Sequence, residues 1–104
     1  MQSEGNPDRG RSIEVTDVRF TAGSIADARA GLVGFVRVTL NNALVADGLT
    51  LRRTVQGHLV VSFPEKTDGQ GRVHFMLIPK NDRVRRDLES QILRALGFEE
   101  GAAS

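Results

Sequence analysis

The side chains here that can do chemistry are few and scattered. The two histidines, His58 and His74, stand sixteen residues apart on different expected strands. A histidine metal site needs three or four ligands, and no clustered carboxylates join this pair. The sequence has no cysteine, which removes thiol nucleophiles, disulfides and thiolate metal sites. That composition fits a reducing cytoplasm. Ser62 and Ser90 lie outside any Gly-x-Ser-x-Gly frame. Gly69-Gln70-Gly71 is similar to a piece of a phosphate loop, but it lacks the Gly-Lys-Ser/Thr ending and falls in an expected hairpin. Asp17, Asp47 and Asp68 are far apart and suit turns and solubility. These residues support no enzyme: no catalytic residue, no cofactor and no metal site is expected.

The cations carry more information. Residues 1–51 hold five arginines against six acids. Residues 52–86 hold eight basic residues against Glu65, Asp68 and Asp82, a local charge of +5. Twelve of the fourteen basic residues are arginine, whose planar fork of donors suits phosphate oxygens. Lys66 and Arg72 flank one Gly-rich loop, and Lys80, Arg83 and Arg86 crowd the start of an expected helix. These five are the candidate nucleic-acid-binding residues. Arg52 and Arg53 are weaker candidates, because strand alternation sends them to opposite faces. The competing reading is a solvated face, with Arg83–Asp87 and Arg85–Glu89 neutralising each other at i,i+4. Five phenylalanines and no Tyr or Trp argue against base stacking on an exposed platform and for phosphate contacts.

The elements that must position these groups follow from periodicity. At 104 residues there is room for one domain with tails. Residues 1–11 lack periodicity and read as a disordered tail, without the apolar core of a signal peptide. Residues 99–104 read as a second tail, leaving 12–98 as the domain. No apolar run approaches a membrane span, so no membrane partner is expected. Ile13 and Val15 alternate in one phase and Val18 and Phe20 in another, predicting a first strand bulged at Thr16–Asp17. Residues 21–31 read as a loop. Residues 32–40 form a second strand with Gly34, Val36, Val38 and Leu40 on one face. Asn41–Asn42 makes a two-residue turn. The third strand, 44–53, places Val45, Leu49 and Leu51 in register, with Gly48 a bulge or close approach. The fourth, 58–63, points Leu59, Val61 and Phe63 inward, and Pro64 stops the ladder.

A flexible hairpin loop over 65–72 leads to a fifth strand, 73–78, with Val73, Phe75 and Leu77 on one face. A helix follows, capped by Asn81 or Asp82. Val84, Leu88, Ile92, Ala95 and Leu96 make its apolar stripe. Arg83, Arg86, Ser90 and Arg94 fall on the far face. Gly97 suits a left-handed C′ position, with Phe98 packing on Leu93 in a Schellman cap. The expected fold is α+β: an antiparallel sheet of about five strands followed by one C-terminal helix packed on it.

Several stretches together resemble the SpoVG family of bacterial septation and gene-expression regulators. They are Glu14-Val15-Thr16-Asp17-Val18-Arg19, Leu44-Val45-Ala46-Asp47-Gly48-Leu49-Thr50-Leu51, and Gly57-His58-Leu59-Val60-Val61-Ser62-Phe63-Pro64. Lys66, Asp68-Gly69 and Ile78-Pro79 follow in order, then a helix. The resemblance covers most of residues 13–96. It implies a small α+β domain that dimerises through strands and regulates gene expression or septation by sequence-tolerant binding of DNA and/or RNA, without catalysis. In that family a lysine-arginine pair after the strand-ending proline is associated with nucleic acid. Lys66 matches; Thr67 stands where the second basic residue would be, and Arg72 can compensate across the loop. The rival expectation is a dimeric protein-interaction module whose arginines serve solubility.

Overall fold

Val36, Val38 and Leu40 alternate with exposed residues along β2 (Leu32–Leu40), and this alternation organises the core. The computed structural model of the chain describes residues 13–98; the readings of 1–11 and 99–104 as tails lie outside the described residues. β2 is central to an antiparallel sheet of four strands in the order β1-β2-β3-β4, with β1 Val15–Ala22, β3 Leu44–Arg53 and β4 Leu59–Ser62. The α+β class and the C-terminal helix are as expected. That helix, α2 (Asp82–Ala95), lays Leu88, Ile92 and Leu93 on Val36, Val38, Leu49, Leu51 and Val61. Among the described residues, no helix is long and apolar enough to cross a membrane.

Four local signals act as the sequence suggests. The β1 register shifts between Thr16 and Arg19, where Asp17 takes a φ of 51°. A bulge needs one residue out of the extended region, and aspartate tolerates the left-handed one. Asn81 caps α2, its side chain accepting from the Val84 N–H. At the other end Gly97 has a φ of 91°. Phe98 N–H donates to Leu93 O and Gly97 N–H to Arg94 O, the two bonds of a Schellman motif.

Five expectations are corrected. The fifth strand does not extend the main sheet. Only Val73–Phe75 is extended (β6), and it pairs with Glu65–Thr67 (β5) as a separate two-stranded ribbon. The alternation of Val73 and Phe75 demands extended backbone but leaves the pairing partner open. The 21–31 loop contains a five-residue helix, α1 (Ile25–Arg29). Ser24 and Asp27 close a reciprocal capping box there, and the bonds from Ser24's backbone and then its hydroxyl hold the Asp27 carboxyl below its ordinary range. The Asn turn spans three residues, because Leu40 pairs with Leu44; Asn41 and Asn42 both take positive φ. Val45 faces away from the core. Val36 pairs with Leu49 but Val38 with Ala46, so a bulge at Asp47–Gly48 shifts the phase by one and turns Ala46 inward. In α2, Leu93 is buried while Ala95 is exposed, moving the stripe towards Leu93.

Two polar residues of α2 flank that stripe and reach opposite edges of the sheet. Glu89 is buried, and its carboxylate accepts from Val61 N–H on edge strand β4 at 2.7 Å. Gln91 accepts from Val15 N–H on edge strand β1 at 2.9 Å and donates to Ile13 O. A buried backbone group left unpaired costs about 1–3 kcal/mol, so these contacts help to hold the helix over the sheet alongside its apolar stripe.

Candidate nucleic-acid interface

The β5–β6 ribbon sets two of the candidate cations. Lys66 lies opposite His74 in the register, so both share one face of the ribbon. Arg72 stands just before β6, and its Nε donates to Asp68 Oδ2 at 3.1 Å. Asp68 is the hub of the turn. Its carboxylate accepts from the Gln70 and Arg72 backbone N–H groups and lies 2.8 Å from His74 Nε2. Bonding to His74, then to the amides of Arg72 and Gln70, holds its carboxyl below the ordinary aspartate range. The loop expected to be flexible is therefore tied at its centre.

This hub has a pH signature. A carboxyl whose folded pKa is depressed contributes stability in full above its unfolded value of about 3.9. That contribution is lost as pH falls through the folded value. In an NMR titration, the amides of Gln70 and Arg72 should move together with a midpoint below 3.9. A midpoint at the ordinary aspartate value would remove Asp68 from the centre of the turn.

The other candidates stand where the chain enters α2. Lys80 is exposed and precedes the cap. Asp82, in the first turn, accepts from Arg86 Nη2 at 3.1 Å and from Arg85 Nε at 3.4 Å. These two bonds, Arg86's first, hold its carboxyl below the ordinary range. Arg85 also lies 3.8 Å from Glu89, the i,i+4 pair expected from spacing. Arg83 is exposed on the first turn.

The structure thus sorts four of the five candidates. Lys66 and Lys80 make no ion pair among the described residues. Arg72 and Arg86 are each held by a carboxylate of their own element, Asp68 and Asp82, so neither ion pair joins ribbon to helix. The ribbon and the helix start meet instead along an apolar groove of about 510 Å³, where Phe75, Leu77, Ile78 and Pro79 face Val61 and Arg85. Asp68 serves a turn, as its residue type suggests; what sequence spacing missed is its pairing with His74. Their contact depends on the β5–β6 register, which fixed spacing does not reveal. Arg52 and Arg53 end β3, and Arg52 lines a depression with Glu65 of β5. Among the described residues, no three histidines or carboxylates are grouped to hold a metal. No protein-family model matches the chain, and no curated protein matches it.

Proposed function

We propose that this protein is a SpoVG-like, nucleic-acid-binding regulator of gene expression or septation. It works as a homodimer in the bacterial cytoplasm, without catalysis, and holds DNA or RNA by phosphate contacts that tolerate changes of sequence. The observation that carries this reading is the cation excess of residues 52–86, in which Lys66 and Lys80 have no carboxylate partner among the described residues. Arg72 complements them. Asp68 engages its Nε and leaves the terminal nitrogens free to fork onto phosphate oxygens. Arg86 is oriented by Asp82 through one terminal nitrogen, and Arg83 adds charge on the same turn. The strand and turn motifs that resemble the SpoVG family support the same reading.

A mobility-shift titration tests it. Duplex DNA and single-stranded RNA of unrelated sequences should be retarded by the native protein at similar concentrations. No retardation of either at low salt overturns the proposal.

An exposed apolar strip supports the dimer and also favours the second reading, a protein-interaction module. Phe75 is 59% exposed and Met76 62%, with Val73 and Ile78 beside them. A run of this kind on a short ribbon suits a second copy of the chain. Light scattering at micromolar concentration should return the mass of two chains. A one-chain mass contradicts the dimer, and a dimer that binds no nucleic acid supports the module.

A further inference from the structure

The four-stranded sheet has a second face that α2 does not cover. Phe35, in the middle of β2, is 41% exposed there. Thr21, Thr50 and Ser62 extend its cross-strand row. Arg37 lies two residues further along the same strand, about 7 Å away, and directly opposite Arg19 of β1. Arg52 lies on the same face of β3, two residues from Thr50, and is exposed.

Two like charges directly opposite each other in a sheet destabilise it. A carboxylate answers only one of this pair. Asp17, turned by the β1 bulge, accepts from Arg19 Nε at 3.0 Å. Asp47, in the β3 bulge, accepts instead from the Gly48 N–H. Arg37 and Arg52 make no ion pair among the described residues. Arg19, Arg37 and Thr39 border a depression of about 280 Å³ with Val45 and the Arg19-bound Asp17. The face therefore offers two unanswered guanidinium groups on either side of one exposed ring, rimmed by hydroxyls.

Composition argues against base stacking, but the 41% exposure of Phe35 on this face supplies one ring for it; we propose that this open face binds single-stranded nucleic acid, with Phe35 as the stacking platform for one base and Arg37 and Arg52 holding the flanking phosphates. The inference takes its class of ligand from the nucleic-acid reading above, but it names residues other than the ribbon and helix-start cations, on a face that meets the ribbon where Glu65 of β5 lines a depression with Thr50, Arg52 and Ser62. Single strands fit because stacking on a ring requires an unpaired base face, which a duplex does not present. The guanidinium spacing along and across the strands lets phosphates lie beside the stacked base. The unfavourable Arg19–Arg37 pairing is then a cost in stability that binding offsets.

The test compares three proteins with the native chain: Phe35→Leu, Arg37→Thr, and the double variant Lys66→Ala with Lys80→Ala. Each is titrated with an oligodeoxythymidylate of roughly twelve nucleotides and with a duplex of unrelated sequence. Phe35→Leu and Arg37→Thr should each weaken single-strand binding about fivefold or more and leave duplex binding unchanged. Arg37→Thr should lower the single-strand salt slope by about 0.7 and raise the thermal midpoint, since it removes a like-charge pair. Phe35→Leu keeps an apolar side chain at an exposed site, so it carries the test if Arg37→Thr fails to fold. Native single-strand affinity in a folded Phe35→Leu protein overturns the sheet-face site and leaves the ribbon reading standing. Equal weakening on duplex and single strand also overturns it. If the native protein binds neither probe, both proposals fall.

Discussion

Leu88→Ala is expected to lower the unfolding free energy by about 2–5 kcal/mol, the range for a large-to-small change in a packed core. Leu88 is 5% exposed and lies one turn before Ile92, which is 1% exposed. Both pack with Leu93 against residues of β2, β3 and β4. No second apolar layer shares the work, because α2 is the only helix of the described residues that contributes buried side chains. A domain of this size is stable by about 5–15 kcal/mol in all, so the change removes a large share. Arg86→Ala is the control. Arg86 projects from the opposite side of α2, its side chain 66% exposed and paired, among the described residues, only with exposed Asp82. Such pairs contribute about 0–1 kcal/mol. Urea denaturation should separate the two variants clearly, and equal losses would contradict the position of α2 on the sheet.

The second large effect concerns binding. Replacing Lys66 and Lys80 together with alanine should weaken binding to every duplex alike. Each phosphate contact contributes about 0.9 to the slope of log K against log salt. At 0.1 M salt, one decade below 1 M, that is roughly eightfold per contact and about 60-fold for both. Both lysines are exposed and outside the buried core, so circular dichroism and thermal midpoint should be unchanged. Competition among unrelated duplexes should show no change in preference, because phosphate contacts position a protein without reading bases. A variant with native affinity would remove these lysines from the interface. The arginines at the helix start would then carry the binding alone.

What could be read from residues alone was whatever depends on local backbone chemistry. The Thr16–Asp17 phase break, the left-handed Asn41 and Asn42 and the Gly97 cap all rest on conformations that few side chains accept. Ser24 and Asp27 carried the same kind of signal. Their three-residue spacing is a capping signature, but only five helical residues follow, with no buried face to reinforce it. Pairing was less visible. Val73 and Phe75 alternate as a strand should, yet nothing in the alternation distinguishes the main sheet from Glu65–Thr67. Val45 was misplaced because the bulged residue at Asp47–Gly48 puts the side chains before it out of phase with Leu49 and Leu51 after it.

The polar contacts of α2 show the same limit. Spacing marks Glu89 as a surface partner for Arg85, and the two do lie 3.8 Å apart. The second bond of Glu89, to Val61 N–H across 28 positions of sequence, follows only once β4 is known to be an edge. At the candidate interface, the cation-rich segment was plain from composition. The division between Lys66 and Lys80 on one side and the carboxylate-held Arg72 and Arg86 on the other was not. Asp68 gathers its donors through a turn and a register, and Arg86 meets Asp82 only because α2 begins at that aspartate.

The central claim is that cations of residues 52–86 hold nucleic acid through its phosphates. The salt dependence of duplex binding by the native protein tests it most directly. A plot of log K against log salt should fall linearly with a slope of about −2 or steeper, at least 0.9 for each of Lys66 and Lys80. Binding whose slope is near zero, or no binding at 50 mM salt, would contradict the claim.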